Sequence, residues 1–388
     1  MTTAVKLSEL PALTGIRGFA ALWVMLFHAW GLGGAPHLRI DLGIFYFDLS
    51  HLCTMGWAGV DIFFTLSAFL LVLPYAAWQL GARSKPQLGE YFRRRVLRIF
   101  PAYYAQLFIL VALAFFFAIG TLLTFGEFLA HLVLWLDMGW YFVNPINGAW
   151  WTLPIEFTFY LGLPILAYAL RPRRWIVLLL AAIAFTWSYR AIAFHWVTGI
   201  SVVTVVQHIP GRIDQFVIGM LAGYAFVSAR LKQEIPSQRR LSAQFAIAIV
   251  GVFGLGWWLL AELTSYWNGE PIFWVWHTCA SCFIALAIYA AACDARPARL
   301  LFANRTLGFL GEISFGLYLW HVPILGWLAP LFKTIESPDL RFLALLAVAI
   351  PSTVLAASLS YVLIERRFLR MGRPHVLHPA LATEVASA

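Results

Sequence analysis

The chain has 388 residues, of which 62% are hydrophobic and only 12% charged, and its mean hydropathy is +0.79. A soluble globular chain is nearer half apolar and about a quarter charged, so too few polar residues exist to cover soluble domains of this total length. Disorder, collagen and long coiled coil are excluded on the same grounds. The formal net charge is +9, yet the basic residues fall in short clusters between apolar stretches. That pattern marks the cytoplasmic loops of a membrane protein and not a nucleic-acid surface. The fold class expected is an all-α polytopic membrane protein in contact with the lipid bilayer.

Four cysteines, Cys53, Cys279, Cys282 and Cys293, make no disulfide framework in a chain this long. Cys279 and Cys282 form a C-x-x-C inside an apolar run, with no second pair to complete a zinc site. They are expected to be small apolar filler, with no metal.

A helix needs about 20 apolar residues to cross about 30 Å of hydrocarbon. Ten segments qualify: 11–34, 55–79, 100–119, 149–170, 175–194, 209–228, 242–263, 273–293, 312–331 and 342–363. The first follows no small-residue cleavage site, so it is expected to stay as a helix. An eleventh apolar stretch, 121–138, is short and interrupted by Glu127, His131 and Asp137, which suits a surface or re-entrant helix. Ten crossings put both termini on one side. The loops on that side hold 21 of the 27 lysines and arginines, most densely from Arg83 to Arg98, so both termini are expected in the cytoplasm. One transmembrane domain is expected over residues 1–370, with a short mobile tail over 371–388. No internal repeat is visible.

Charge inside hydrocarbon is costly and needs a reason. Arg17 and His28 are eleven residues apart on the first span, which puts them on one helix face about 16.5 Å apart in depth. Asp61 and Glu156 enter the second and fourth spans at a depth expected to match that of His28. An imidazole beside a carboxylate is the usual kit for a general base, the acid orienting and charging the ring. Bland readings stand beside this one. Arg17 could snorkel to the headgroups, His28 could bridge helices, and Asp61 could cap its helix. The run from Tyr91 to Pro101 places four arginines within six residues. It suits phosphate binding, or ordinary lipid anchoring. His321, with Tyr318 and Trp320, either lines the same cavity or only packs. Ser67 is a weaker nucleophile candidate. His37, His51, His195, His208 and His277 fall in loops or near interfaces, where no function is read.

Several segments resemble the acyltransferase-3 family of integral-membrane acyltransferases. They are Leu13-Thr14-Gly15-Ile16-Arg17 running on to His28; Gly59-Val60-Asp61 through Phe69; Arg95-x-x-Arg98 through Tyr104; Trp151-Thr152-Leu153 through Glu156 and Tyr160; Ile313-Ser314 through Trp320-His321; and Tyr361 through Glu365-Arg366. They occur in family order over residues 10–370. Ala68 stands where Gly is usual, and Arg367 where Pro often follows. Some members carry an appended extracellular esterase-like domain, and no such segment is read here.

The resemblance implies transfer of an acyl group, acetyl in many members, from cytoplasmic acyl-CoA (acetyl-CoA) to a hydroxyl of a glycan, lipid-linked sugar or small metabolite. The setting implied is the bacterial cytoplasmic membrane and its cell envelope. His28, Glu156 and Asp61 are then expected as catalytic residues, and Arg17, Arg95 and Arg98 as donor-binding residues. Ser67, Tyr160, Tyr318, Trp320 and His321 are expected to line the cavity. In the mechanism expected, His28, polarised by Glu156 or Asp61, takes the acceptor proton; an acyl-His intermediate is a variant. The rival reading is a transporter or flippase without covalent chemistry. The missing repeats and the lack of paired Gly/Pro-broken spans speak against it.

Overall fold

The computed structural model describes residues 10–41, 43, 46–136, 143–170, 174–197, 199 and 201–372. The tail expected over 371–388 lies almost wholly outside the described residues, as do Asp137, Arg171 and Arg173. The described chain is helical apart from a two-stranded antiparallel ribbon, Arg39–Asp41 with Tyr46–Asp48, in which Arg39 faces Asp48.

Among the described residues, nine helical stretches are long and apolar enough to cross a membrane. Their main helices are α1 (Pro11–Leu32), α2 (Gly59–Gln79), α3 (Leu88–Phe117), α5 (Thr152–Ala169), α6 (Trp175–Trp196), α8 (Gln238–Ala261), α9 (Pro271–Ala292), α10 (Ser314–Leu328) and α11 (Pro338–Ser360). Three of them, α1, α9 and α11, open on a proline in the first turn, where its missing N–H leaves no hydrogen bond unmade. The tenth expected segment, 209–228, is α7 (Ile213–Lys232). Its 20 residues span about 30 Å, but Asp214, Gln215 and a basic last turn make it less apolar. It can carry Asp214 and Gln215 because its N-terminal half is buried by protein, while Arg230 and Lys232 of its last turn are exposed. The stretch 121–138 contributes only α4 (Phe125–Leu132), an eight-residue helix. Thr124 and Glu127 close a capping box at its start.

Two boundaries differ from expectation in ways that matter for the site. The second crossing begins at Ser50, with a 3₁₀ turn at Met55–Ala58 before α2. The third begins at Leu88, so the arginine cluster lies within a 30-residue helix and not in a loop. Arginine is a good helix former, and the cluster simply extends the helix past the apolar segment.

Glycines set how the helices meet. A Cβ on Gly56 or Gly59 would lie 2.2 or 2.6 Å from the carbonyl oxygens of Trp23 and Ala20, so the second crossing runs antiparallel to α1. Gly219 and Gly223 of α7 press on the carbonyls of Thr65 and Phe69, their numbers rising together, so α7 runs parallel to α2. That direction fits α7 as a full crossing. On α1, Gly15 and Gly18 meet the backbone at Phe302 and Leu307, which belong to the short helices Arg296–Phe302 and Arg305–Glu312. Small residues at such contacts let backbones approach closely, as helix association in lipid requires. The central helices α1, α2 and α9 are mostly buried, whereas α6 and α8 present most of their surface outward.

Gly219→Ala is expected to lower stability by about 1–3 kcal/mol, since its methyl would overlap the Thr65 carbonyl. Gly254→Ala, at a site with open space, is expected to change little. Thermal unfolding in detergent compares the two.

Candidate functional site

A cavity of about 320 Å³ runs between α1, α2, α3, α5 and α10. Arg95, Arg98 and Leu369 at its arginine-rich end are partly exposed and mark its mouth, whereas Thr152 and Tyr318 are buried and mark its inner end. Arg17 projects into it from α1 and donates from Nη2 to Ser314 Oγ at 3.0 Å. Glu156 projects from α5. Its Oε1 accepts from Ser67 Oγ at 3.2 Å and, in a shorter bond, from the Tyr160 hydroxyl. Arg95 lies over the Tyr160 ring, 5.7 Å from its centroid, and Arg98 over Phe315 at the same distance. Glu365 stands behind Arg98 and Arg17, within their electrostatic reach, and accepts from Ser360 Oγ at 3.2 Å. It is buried, carried inward by a π-helical turn at Tyr361–Glu365. Three guanidinium groups thus face two carboxylates, leaving a net positive cavity. Such a set can hold an anionic group with several oxygens, such as a phosphate or diphosphate.

The inner end is closed by Tyr318. Its hydroxyl donates to the Ala149 carbonyl at 2.9 Å and accepts from Thr152 Oγ1 at 3.0 Å. Beyond it come two imidazoles in file. The Tyr318 and His321 rings are 5.6 Å apart between centroids, and those of His321 and His28 are 5.0 Å apart. His321 Nε2 lies 3.3 Å from His28 Nδ1. His321 is buried, while His28 is half-buried.

Asp61 belongs to neither group. Its Oδ1 accepts from Arg212 Nη1 at 2.7 Å, from Gln215 Nε2 at 2.5 Å, and meets His277 Nδ1 at 3.1 Å. His277 Nε2 in turn meets the Tyr266 hydroxyl at 2.9 Å. Arg212 Nε donates to the Val206 carbonyl at 2.7 Å. Beside it, Arg190 holds Asp214 at 3.5 Å and donates to the carbonyls of Gly211 and Trp274, while Thr278 donates to the other Asp214 oxygen. Two arginines and two aspartates neutralise one another here, all buried. This junction ties α2, α6, α7 and α9 together, and no cavity residue belongs to it.

The structure therefore brings Arg17, Arg95, Arg98, Glu156, Ser67, Tyr160 and Tyr318 to one cavity. It does not bring His28, Asp61, Trp320 or His321 to its walls. The shared depth expected for His28, Asp61 and Glu156 is corrected. Because Gly59 packs on Ala20, Asp61 sits near the level of Arg17, about 15 Å of helical rise below His28. Among the described residues no hydrogen bond joins His28 to either carboxylate. Trp320 packs against the apolar core instead, one residue and about 100° round the helix from His321. His277, expected near an interface, lies inside α9 in the Asp61 junction. In the sequence Glu365 stands only as part of a closing motif, and the available signal is an acid set between an apolar stretch and Arg366.

Removing one partner of a buried ion pair strands the other and costs about 3–5 kcal/mol. Asp61→Ala is therefore expected to cause a marked loss of thermal stability in detergent, or loss of accumulated protein. Ser67→Ala, beside an open cavity, is expected to leave the unfolding midpoint near that of the parent.

Comparison with known proteins agrees with the architecture. Over 384 residues the chain is 23% identical to the O-acetyltransferase OatA of Staphylococcus aureus (strain NCTC 8325 / PS 47), covering 94% of this chain and 58% of that protein. It is 25% identical over 403 residues to the peptidoglycan O-acetyltransferase OatA of Listeria monocytogenes, covering 96% of this chain and 57% of that one. It is 28% identical over 358 residues to the exopolysaccharide production protein ExoZ of Rhizobium meliloti, covering 87% of this chain and 96% of ExoZ. The chain thus spans less than three-fifths of the length of the two OatA proteins. No solved structure matches it. The acyltransferase domain of the acyltransferase-3 family matches residues 10–364, which takes in helices α1 to α11, the histidine pair and every cavity-lining residue but Leu369, and the chain belongs to this family.

Proposed function

We propose that the chain is a membrane-bound O-acyltransferase. It moves an acyl group, acetyl in the simplest case, from acyl-CoA to a hydroxyl of a cell-envelope glycan, a lipid-linked sugar or a small hydroxylated acceptor. The observation that carries this reading is the net positive cavity walled by Arg17, Arg95 and Arg98. Its mouth lies on the side rich in lysine and arginine, the cytoplasmic side by the distribution of positive charge. A CoA donor brings phosphates and a slender thioester arm. Arginines at a mouth and a narrow space behind them suit both. The relatives, O-acetyltransferases and an exopolysaccharide production protein, support acetyl transfer to an envelope polysaccharide.

In this reading the donor phosphates rest on Arg95 and Arg98, and the arm runs past Arg17 and Glu156. Glu156 balances Arg17 and orients Ser67 and Tyr160, and among the described residues it makes no hydrogen bond to His28. Tyr318 separates the thioester from the histidines, so its hydroxyl leaves Thr152 and Ala149 when the arm advances. His28 Nε2 then takes the proton of the acceptor hydroxyl as its oxygen attacks the thioester carbonyl. The tetrahedral intermediate collapses, the C–S bond breaks, and the CoA thiolate leaves with the proton returned from His28. The acceptor arrives from the opposite side and meets the half-buried His28 there.

Purified protein incubated with acetyl-labelled acetyl-CoA and envelope fractions is expected to move label into a glycan; label that stays in CoA would favour a transporter. His28→Ala is expected to abolish transfer while leaving insertion and thermal unfolding unchanged. Hydrogen bonds to charged groups contribute about 1.5–3 kcal/mol. Replacing Arg95 and Arg98 by Ala is thus expected to raise KM for acetyl-CoA by about 10- to 100-fold, read from initial rates.

A further inference from the structure

We infer that His321 is the orienting partner of His28: a positioning residue whose neutral ring accepts the Nδ1 proton of His28 and leaves His28 Nε2 as the free basic nitrogen. This rests on the reading of His28 as the base and specifies how it is held.

The hydrogen-bond pattern permits one assignment of protons. His321 Nδ1 lies 2.7 Å from the Tyr318 carbonyl oxygen and 3.2 Å from that of Leu317. Carbonyl oxygens only accept, so Nδ1 carries the hydrogen and His321 Nε2 presents a lone pair. That lone pair faces His28 Nδ1 at 3.3 Å. His28 Nδ1 also lies 3.0 Å from the Val24 carbonyl oxygen. With two acceptors and no donor around it, His28 Nδ1 is protonated as well, and the lone pair of that ring is on Nε2. The pair is therefore asymmetric. Both nitrogens of His321 are engaged and the ring is buried. His28 is half-buried, and among the described residues nothing bonds to its Nε2. Only His28 has a nitrogen free to meet an acceptor.

The helices explain why the partner is an imidazole. Arg17 meets Ser314 and His28 meets His321, so α1 and α10 run in the same direction and hold the two rings at one level. The carboxylates that might have served are committed elsewhere, Glu156 to Ser67 and Tyr160, Asp61 to Arg212. A carboxylate at this depth would bury a charge at rest, whereas two neutral imidazoles bury none. When His28 takes a proton, the His321 lone pair accepts a stronger hydrogen bond from the imidazolium, so stabilisation grows as the transition state is approached.

The test uses the full chain in detergent. His321→Leu removes the acceptor, while His321→Gln can return an amide oxygen near the former Nε2. With acetyl-CoA as donor, His321→Leu is expected to lower kcat about 100-fold with KM within twofold of wild type. His321→Gln is expected to recover to within about tenfold of wild type. A Leu variant with wild-type kcat, or equal losses in Leu and Gln variants of equal thermal stability, would overturn the assignment. A wild-type protein that never uses acetyl-CoA would instead overturn the proposed donor. A second measurement needs neither turnover nor a variant. Diethylpyrocarbonate acylates a free imidazole nitrogen, and peptide mapping of the wild-type protein is expected to find the label on His28 and not on His321. Label on His321 with His28 untouched would sink the inference.

Discussion

Hydrocarbon does not solvate charge, and this constraint orders the whole bundle. Each ionised group inside it must be answered by another group of the protein. The chain meets the demand in two ways. At the junction of α2, α6, α7 and α9, Asp61, Asp214, Arg190 and Arg212 are matched in number and sign and are buried with their neighbours. Such a cluster adds little net stability but makes any other helix arrangement expensive, because a misplaced helix would strand an ion. Around the cavity the account does not close. Arg17, Arg95 and Arg98 face Glu156 and Glu365, and one positive charge is left over. A closed set holds the fold, and an open set invites an anion.

Glycine contacts supply the geometry that makes both sets possible. Pairs such as Gly219 on Thr65 and Gly56 on Trp23 bring backbones close enough that side chains one turn away must meet. Arg212 and Asp61 lie 151 residues apart in sequence, and they touch because α7 is seated on α2 by its glycines. Gly15, Gly18 and Gly311 likewise seat α1 against the short helices that precede α10, and α10 then carries His321 to His28 behind Tyr318.

Much of this was legible in the sequence, for reasons that can be named. Hydropathy alone marks the crossings, because apolar length is a property of single segments. The arginines of the cavity were legible because Arg17 is a charge inside a span and Arg95 and Arg98 belong to the densest basic cluster of the chain. Partners across helices were not. Arg190 and Arg212 are among the six basic residues outside the cytoplasmic loops, and nothing in a linear chain says which acid each will meet. Asp61 was misplaced for a smaller reason: its crossing starts at Ser50, ahead of the apolar stretch, and the error in depth followed. Glu365 comes to stand behind the cavity arginines at a π-helical turn, a local insertion that periodicity at 3.6 residues does not anticipate.

The closure at Tyr318 has an implication for the cell that houses the protein. An open channel joining the arginine mouth to the histidine side would let protons and salts run down their gradients and discharge the membrane. Bonded to both Ala149 and Thr152, the tyrosine hydroxyl stands between those two ends of the bundle, where an open path would discharge the membrane.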